Sequence, residues 1–383
     1  MTTAPAWRIV LAPHPHDPGD PLAWAYAGRC AVELEAQRAT WGWGDLAYRV
    51  QDVIEKLSHQ EYVRRVLLVA LAPAADEAPV AEDPVADIPV ADDVLGYASL
   101  ELPLTANTHL AELDLAVRPG HEGRGIGGAL LDAAERVARD AGRGTVVASA
   151  EHAPEPPAGP AALAATTGSG RVPRDARATR LATSRGYALE QVERYSVLRL
   201  PVDVDAVARL AADARARAGT AYRILTWTDA VPAGRLPALA GLQTRMSTDA
   251  PSGDLDVGED PWDADRYAER LAAWRRRGLG FTIAAAEHVA SRELVAFTVL
   301  TYPLADPGFA FQEDTLVLTE HRGRRLGTLV KTANLTALGA VRPATERVHT
   351  WNAEENGPML DINVALGFRP VGVEALWQRS LSG

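Results

Sequence analysis

The chain has 383 residues and a formal net charge of −11, a length beyond the point where single hydrophobic cores stop growing, so two domains are expected. The acidic balance argues against nucleic acid, whose phosphates draw on clustered Lys and Arg, and no apolar run approaches the roughly 18 residues of a membrane helix. One cysteine, Cys30, excludes an internal disulfide framework and every multi-cysteine metal site, so no metal is expected.

Along the chain, Met1 to Pro15 lacks a basic region followed by an apolar one, which reads against a signal peptide and for the cytoplasm. Strands are expected at Trp7 to Ala12, Val66 to Ala72, Leu95 to Leu102 and Leu110 to Val117, each short, apolar and rich in Leu or β-branched residues. Between Asp76 and Asp93 lie seven carboxylates and no basic residue. This stretch, with Pro-Val at 79–80, 84–85 and 89–90, reads as a solvated low-complexity loop. Without it the net charge is about −4, from −11 + 7. Gly128 to Asp140 carries Leu130, Leu131, Ala134 and Val137 at helical spacing, with Gly142 as its stop. Ala153 to Arg174, rich in Pro, Ala and Gly, reads as a surface insertion, and Asp203 to Ala218 as an Ala/Arg-rich linker helix. Strands are then expected at Phe281 to Ala285, Leu294 to Thr301 and Asp314 to Leu318, a helix over Gly327 to Leu338, and a strand at Val348 to Trp351.

The two halves repeat at a register of 200 residues. Leu102-Pro103-Leu104 aligns with Tyr302-Pro303-Leu304, Asp114 with Asp314, Val117 with Val317, His121 with His321, Gly123-Arg124 with Gly323-Arg324, and Gly127 with Gly327, without a gap. Farther out, Trp7 to Val10 matches Tyr222 to Leu225, and Arg185-Gly186-Tyr187 matches Leu366-Gly367-Phe368, with gaps that fall in the expected loops. Duplication followed by loop growth explains the pattern.

The centre of each repeat is a strand, a glycine-rich turn and a helix. That order aims backbone N–H groups and the helix dipole at an anion, with glycine allowing close approach. A dinucleotide-binding Rossmann unit is the obvious competitor. It is opposed by the loop's position about 120 residues into the chain and by the lack of an acidic residue closing a βαβ unit. No Gly-Lys-Ser/Thr follows, which excludes a P-loop.

Val117-Arg118-Pro119-Gly120-His121-Glu122-Gly123-Arg124-Gly125-Ile126-Gly127-Gly128 resembles the main motif of the GNAT superfamily of N-acetyltransferases: Val-x-Pro, a short gap, then Gln/Arg-x-x-Gly-x-Gly/Ala. Only Glu122 departs, placing a carboxylate where pyrophosphate would lie. The second copy, Val317-Leu318-Thr319-Glu320-His321-Arg322-Gly323-Arg324-Arg325-Leu326-Gly327-Thr328, keeps Arg322 and has Arg325 in place of the middle glycine, which favours phosphate but restricts the backbone. The resemblance implies an α/β (α+β) fold of two tandem GNAT-like domains, each a mixed, mostly antiparallel sheet flanked by helices. The expected domains are residues 1–200 and 221–383, joined by a linker helix at 201–220, in a monomer with an internal pseudo-dimer or in a homodimer.

The resemblance also implies acetyl-CoA in a split between two parallel strands. Leu115, Ala116, Val117 and Leu316, Val317, Leu318 would bond its arm, and the two glycine-rich loops would grip its pyrophosphate. Trp351-Asn352-Ala353-Glu354-Glu355-Asn356 looks like the family's Asn-containing segment, which implicates Asn352 and Asn356. The family often places a basic Glu on the strand before the motif. Glu112 and Asp114 lie there on one face, matched by Gln312 and Asp314, with Glu313 facing oppositely by alternation. Glu112 and Asp314 are therefore the candidate bases. The family's acidic Tyr is replaced by Ala182 and Asn363. His121 and His321 read as loop braces, Trp262, Tyr267 and Trp274 as core, and Arg275-Arg276-Arg277 as a solvated helix end. The activity implied is acetyl transfer from acetyl-CoA to the amine of a small molecule, with the second copy as the working half. The alternative is a CoA-binding protein without turnover, and an NAD-type oxidoreductase ranks third.

Overall fold

The structure is a computed structural model that describes residues 7–72 and 88–381. Most of the acidic Pro-Val stretch, residues 73–87, lies outside the described residues. Two compact units account for the chain. The first comprises Met1–Thr166, Arg171–Glu190 and Ala375–Gly383; the second comprises Thr167–Gly170 and Gln191–Glu374.

The first unit runs β1 (Arg8–Leu11), α1 (Trp24–Trp41), α2 (Val50–Ser58), β2 (Val63–Leu71), β3 (Val94–Pro103), β4 (Leu110–Val117), α3 (Ile126–Asp140), β5 (Thr145–His152), β6 (Ala162–Ala164), β7 (Arg171–Pro173) and α4 (Arg177–Ser184). β1 to β4 pair as antiparallel neighbours, and β4 pairs with β5 in parallel. The run Val66 to Leu71 is buried throughout because both faces of the sheet are covered. α1 and α2 bring Ala25, Tyr26, Val32, Val53, Ile54 and Leu57 onto Leu67, Val69 and Tyr97 of one face. α3 packs against β3 and β4. The Pro/Gly-rich insertion, read as surface loop, folds into the β6/β7 hairpin, in which Val172 is fully buried.

The second unit contains β8 (Ala188–Arg199) from Gln191 onward, α5 (Val204–Ala218), β9 (Tyr222–Thr228), α6 (Leu236–Asp249), α7 (Ala264–Arg276), β10 (Leu279–His288), β11 (Leu294–Pro303), β12 (Phe309–Val317), α8 (Leu326–Val341), β13 (Arg347–Ala353), α9 (Gly357–Leu366) and the start of β14 (Arg369–Ser380). β9 to β12 are antiparallel neighbours, and β12 pairs with β13 in parallel. α6 and α7 cover one face with Leu239, Leu242, Tyr267, Leu271 and Trp274 against Phe281, Ile283, Phe297 and Val299. α8 covers the other. The helix at 204–218 packs Ala214 and Ala218 on Leu326, Leu329 and Val330 of α8, within the second unit. Its start is capped by Asp203, which accepts from the N–H of Ala206 at 2.9 Å.

The 200-residue register survives in the elements. β3 and β11 span residues 94–103 and 294–303, β4 and β12 end at Val117 and Val317, and α3 and α8 begin at Ile126 and Leu326. The closing strands are assigned differently. Residues 193–199 of β8, which follow the first copy, pair antiparallel with β13 in the second unit. Residues 375–380 of β14, which follow the second copy, lie beside β5 in the first.

Candidate functional site

In each unit the central parallel pair is only half zipped. β12 pairs with β13 from Phe309↔Arg347 to Phe311↔His349 and no farther. β4 pairs with β5 from Leu110↔Thr145 to Leu113↔Ala148. Beyond those points Leu115, Ala116 and Val117, and likewise Leu316 and Val317, keep ladder partners on their outer side only. Alternate residues along each gap turn their backbone N–H and C=O groups inward, where an extended polar chain can meet them, although the carbonyl of Val317 is taken by the Arg322 guanidinium. Leu318 follows the strand and donates its N–H to the carbonyl of Val295 at 2.9 Å.

Each of these strands leads into the glycine-rich turn. Gly120, Gly123 and Gly125 all have positive φ, and Gly125 is the N-cap of α3 at φ 87°. In the second unit Gly323 has φ 77°, and Arg325, at the place of Gly125, adopts the left-handed region with φ 56° and ψ 25°. The turn therefore keeps its shape although arginine replaces glycine, at a conformational cost of about 1 kcal/mol. Neither helix start has a side-chain cap. The N–H groups of Ile126, Gly127 and Gly128, and of Leu326, Gly327 and Thr328, have no side-chain partner among the described residues, an arrangement that suits an anion. The loop side chains brace the turns. Arg124 donates to the carbonyl of Gly120 at 3.0 Å, Arg324 to that of Glu320 at 2.8 Å, and Arg322 to that of Val317 at 3.1 Å. Glu122 accepts from the N–H of Gly120 at 2.7 Å and lies 3.6 Å from Arg177, so its charge is turned back into its own loop. His321 bonds the Tyr222 hydroxyl at 2.9 Å, a brace of the expected kind.

The carboxylates on the splayed strands differ between the units. In the first, Glu112 and Asp114 share a face and are exposed. Asp114 accepts from Arg29 at 3.2 Å and from the Tyr97 hydroxyl at 3.0 Å. Arg29 is buried and also bonds Glu33 at 2.6 Å. In the second unit the register between β11 and β12 jumps from Thr298↔Thr315 to Leu300↔Gln312, so β12 carries one extra residue. This β-bulge breaks the alternation on which the sequence reading relied. Gln312 is buried and donates to the Thr298 hydroxyl and the Val299 carbonyl at 2.9 and 2.8 Å. Glu313 accepts from the Thr301 hydroxyl at 2.7 Å, and Asp314 accepts from Arg270 at 2.8 Å. The expectation that Gln312 and Asp314 share a face, with Glu313 opposite, is thus corrected: Glu313 and Asp314 point to the α6/α7 side. The surrounding protein raises the Glu313 carboxyl above the usual range, against the opposing pull of the Thr301 hydrogen bond and Arg270.

Past the split, Asn352, on the part of β13 that pairs with β8 and not with β12, accepts from Asn363 of α9 at 2.5 Å, and Asn363 accepts from Lys331 of α8 at 2.9 Å. Burial alone pushes the Lys331 ammonium down to about 7. Asn356 caps α9 by accepting from the N–H of Met359 at 3.4 Å. Glu193 of β8 is pushed up to about 7, by burial first and by Glu355 second.

Residues 51–158 match the acetyltransferase (GNAT) family. A tandem GNAT protein from the clavulanic acid biosynthesis pathway has a similar structure, at 22% identity and TM-score 0.69, over 98% of this chain and 99% of that one. The protein has the tandem GNAT fold. A GCN5-related N-acetyltransferase from Sphaerobacter thermophilus is similar at 16% identity and TM-score 0.55, over 99% of this chain and 97% of that one. Among curated proteins none matches by sequence.

Within the GNAT fold each unit brings together splayed strands, a glycine-rich turn and an uncapped helix start. Asn356 serves its helix, and Asp314 is engaged by Arg270. Glu193 and Lys331 were not singled out from sequence, and Glu313 was placed on the face opposite Asp314. The bulge that turns Glu313 has no sequence signature, Glu193 belongs to a strand supplied by the preceding half, and the position of Lys331 in α8 acquires meaning only from its neighbours on α9.

Proposed function

We propose that the protein is an acetyl-coenzyme A-dependent N-acyltransferase acting on the amine of a small molecule, with the second unit as its working half. The observation that carries this reading is the half-zipped β12/β13 pair leading directly into a positive-φ turn and an uncapped helix. An extended amide-bearing arm fits the open strand edge, and a pyrophosphate fits the helix start, so the residues present suit coenzyme A. When bound, that group supplies a thioester whose carbonyl is open to an amine.

The chain's own groups then have defined tasks. The N–H groups of Leu326, Gly327 and Thr328 hold phosphate oxygens, with Arg322, Arg324 and Arg325 supplying positive charge around them. The strand edge at Leu316 and Val317 holds the arm in register. Glu313 takes the proton from the attacking ammonium, a role suited to an exposed carboxyl on the splayed strand whose proton affinity is raised above the usual range. Asp314, fixed by Arg270, orients the acceptor. In the first unit Asp114 is tied to Arg29 and Tyr97, and Glu122 occupies the loop, which favours a supporting role for that half.

The test is thiol release from acetyl-CoA across a panel of small amines, with calorimetric titration of coenzyme A. Turnover that Glu313→Gln depresses, and binding that Arg322→Ala or Gly327→Asp weakens, are the expected results. Saturable binding with no turnover for any amine would establish a second reading, a coenzyme A-binding protein, which the absence of tyrosine at Ala182 and Asn363 favours. Unchanged affinity in both loop variants would sink the assignment to the second unit.

A further inference from the structure

Lys331 stands apart from the other charged residues of the second unit. Its side chain is 1% exposed, and among the described residues its hydrogen bonding goes to a neutral amide, the Asn363 Oδ1 at 2.9 Å, with the ring of Phe368 5.9 Å away. A buried ammonium with one neutral partner costs stability rather than adding to it, and a methionine of similar length would fill the space without that cost. Stability does not explain this lysine.

Its chemistry orders what lies beyond it. The Lys331 nitrogen donates to the Asn363 Oδ1, which turns the Asn363 NH2 group away from it, and the ammonium form enforces this orientation because it has donors only. That NH2 group donates to the Asn352 Oδ1 at 2.5 Å, which in turn leaves the Asn352 NH2 group pointing outward. The Asn352 Nδ2 has no hydrogen bond among the described residues, and Asn352 lies on the arm of β13 that β12 does not pair. We propose that Lys331 is a positioning residue of the second unit: through Asn363 it fixes the Asn352 amide as a donor at the open strand split, for the thioester arm of coenzyme A. This proposal rests on the reading of the second unit as a coenzyme A site.

The test uses the full chain and the coenzyme A site that Gly327→Asp weakens. Lys331→Met, Asn363→Asp and Asn352→Ala are each expected to weaken coenzyme A at that site about five- to tenfold, the scale of one lost hydrogen bond. The aspartate variant keeps the lysine's partner and the shape of Asn363 but can only accept, so it reverses the Asn352 amide and remains informative if Lys331→Met folds poorly. The Lys331→Met/Asn352→Ala double variant is expected to bind no more weakly than the weaker single one, because both remove the same donor. The thermal midpoint of ligand-free Lys331→Met should equal or exceed that of the parent, an outcome a merely structural lysine would not give. Parent-like affinity in Asn363→Asp, multiplying effects in the double variant, or a fall in midpoint that accounts for the lost binding overturns the proposal. A parent chain that binds no coenzyme A overturns the underlying reading as well.

Discussion

Two adjacent carboxylates on β12 hold the chemistry to be tested first. Asp314 is engaged by Arg270, whose other arm donates to Gln243 at 2.7 Å and whose guanidinium lies 4.8 Å from the Trp274 ring. Glu313, one residue earlier, accepts a hydroxyl hydrogen bond alone among the described residues and has a carboxyl raised by its surroundings. Glu313→Gln should lower kcat by about 10² or more while leaving coenzyme A affinity unchanged, the signature of a lost proton acceptor. Asp314→Asn should act mainly on the KM of the amine. Steady-state kinetics on both variants checks the split, and equal loss in both would argue against a distinct role for Glu313. A second residue-scale outcome concerns Arg325. Its left-handed backbone is one that glycine adopts freely, so Arg325→Gly should raise stability by about 0.5–1 kcal/mol, offset in part by the greater freedom of glycine in the unfolded chain. Denaturant titration measures it, and a destabilised variant would show that the arginine side chain is needed to hold the turn.

Among the elements, the parts legible in the sequence are those whose cause is local. Strand, turn and helix around Gly123 and Gly323 could be read because positive φ demands particular residues at fixed spacing, and the 200-residue register could be read because both copies keep them. The bulge in β12 could not, since alternation assumes an unbroken ladder and the extra residue shows only against β11. Strand β8 carries a similar lesson. Glu193 looks like an ordinary strand residue until β8 pairs with β13 and places it near Glu355. Its carboxyl is raised from 4.5 to about 7. Because the folded value lies above the unfolded one, the associated stability is fully present below pH 4.5 and is lost as pH rises through 7. Glu193→Gln should therefore unfold like the parent near pH 4.5 and be more stable than it at pH 8, by an amount on the order of 2 kcal/mol after allowing for partial exposure. Thermal unfolding at the two pH values decides this, and a gain independent of pH would place the cause elsewhere.

At the scale of the whole molecule, the units do not coincide with the sequence halves, because the first unit takes its last strand from the end of the chain. Residues 375–380 of β14 contribute Ala375 and Trp377, both buried, to that unit. Arg379 donates to Glu135 of α3 at 2.6 Å, and the N–H of Leu381 donates to the Gly144 carbonyl at 2.7 Å. The strand's pairing partner lies more than 200 residues away, and no spacing rule within one half reveals it. Ending the chain at Glu374 removes the buried indole and leaves the edge of β5 without a neighbour. The first unit should lose at least about 3 kcal/mol, the scale of deleting a large buried aromatic side chain. The second unit keeps residues 191–374, including β8, so coenzyme A binding at its loop should persist. Calorimetry of the truncated chain should show one transition moved to lower temperature and another in place, with the titration unchanged. A peptide covering 369–381 added in trans should recover part of the shift, as expected for a strand that supplies both a ladder and a buried anchor. Unfolding identical to that of the full chain would mean that the first unit does not depend on this strand.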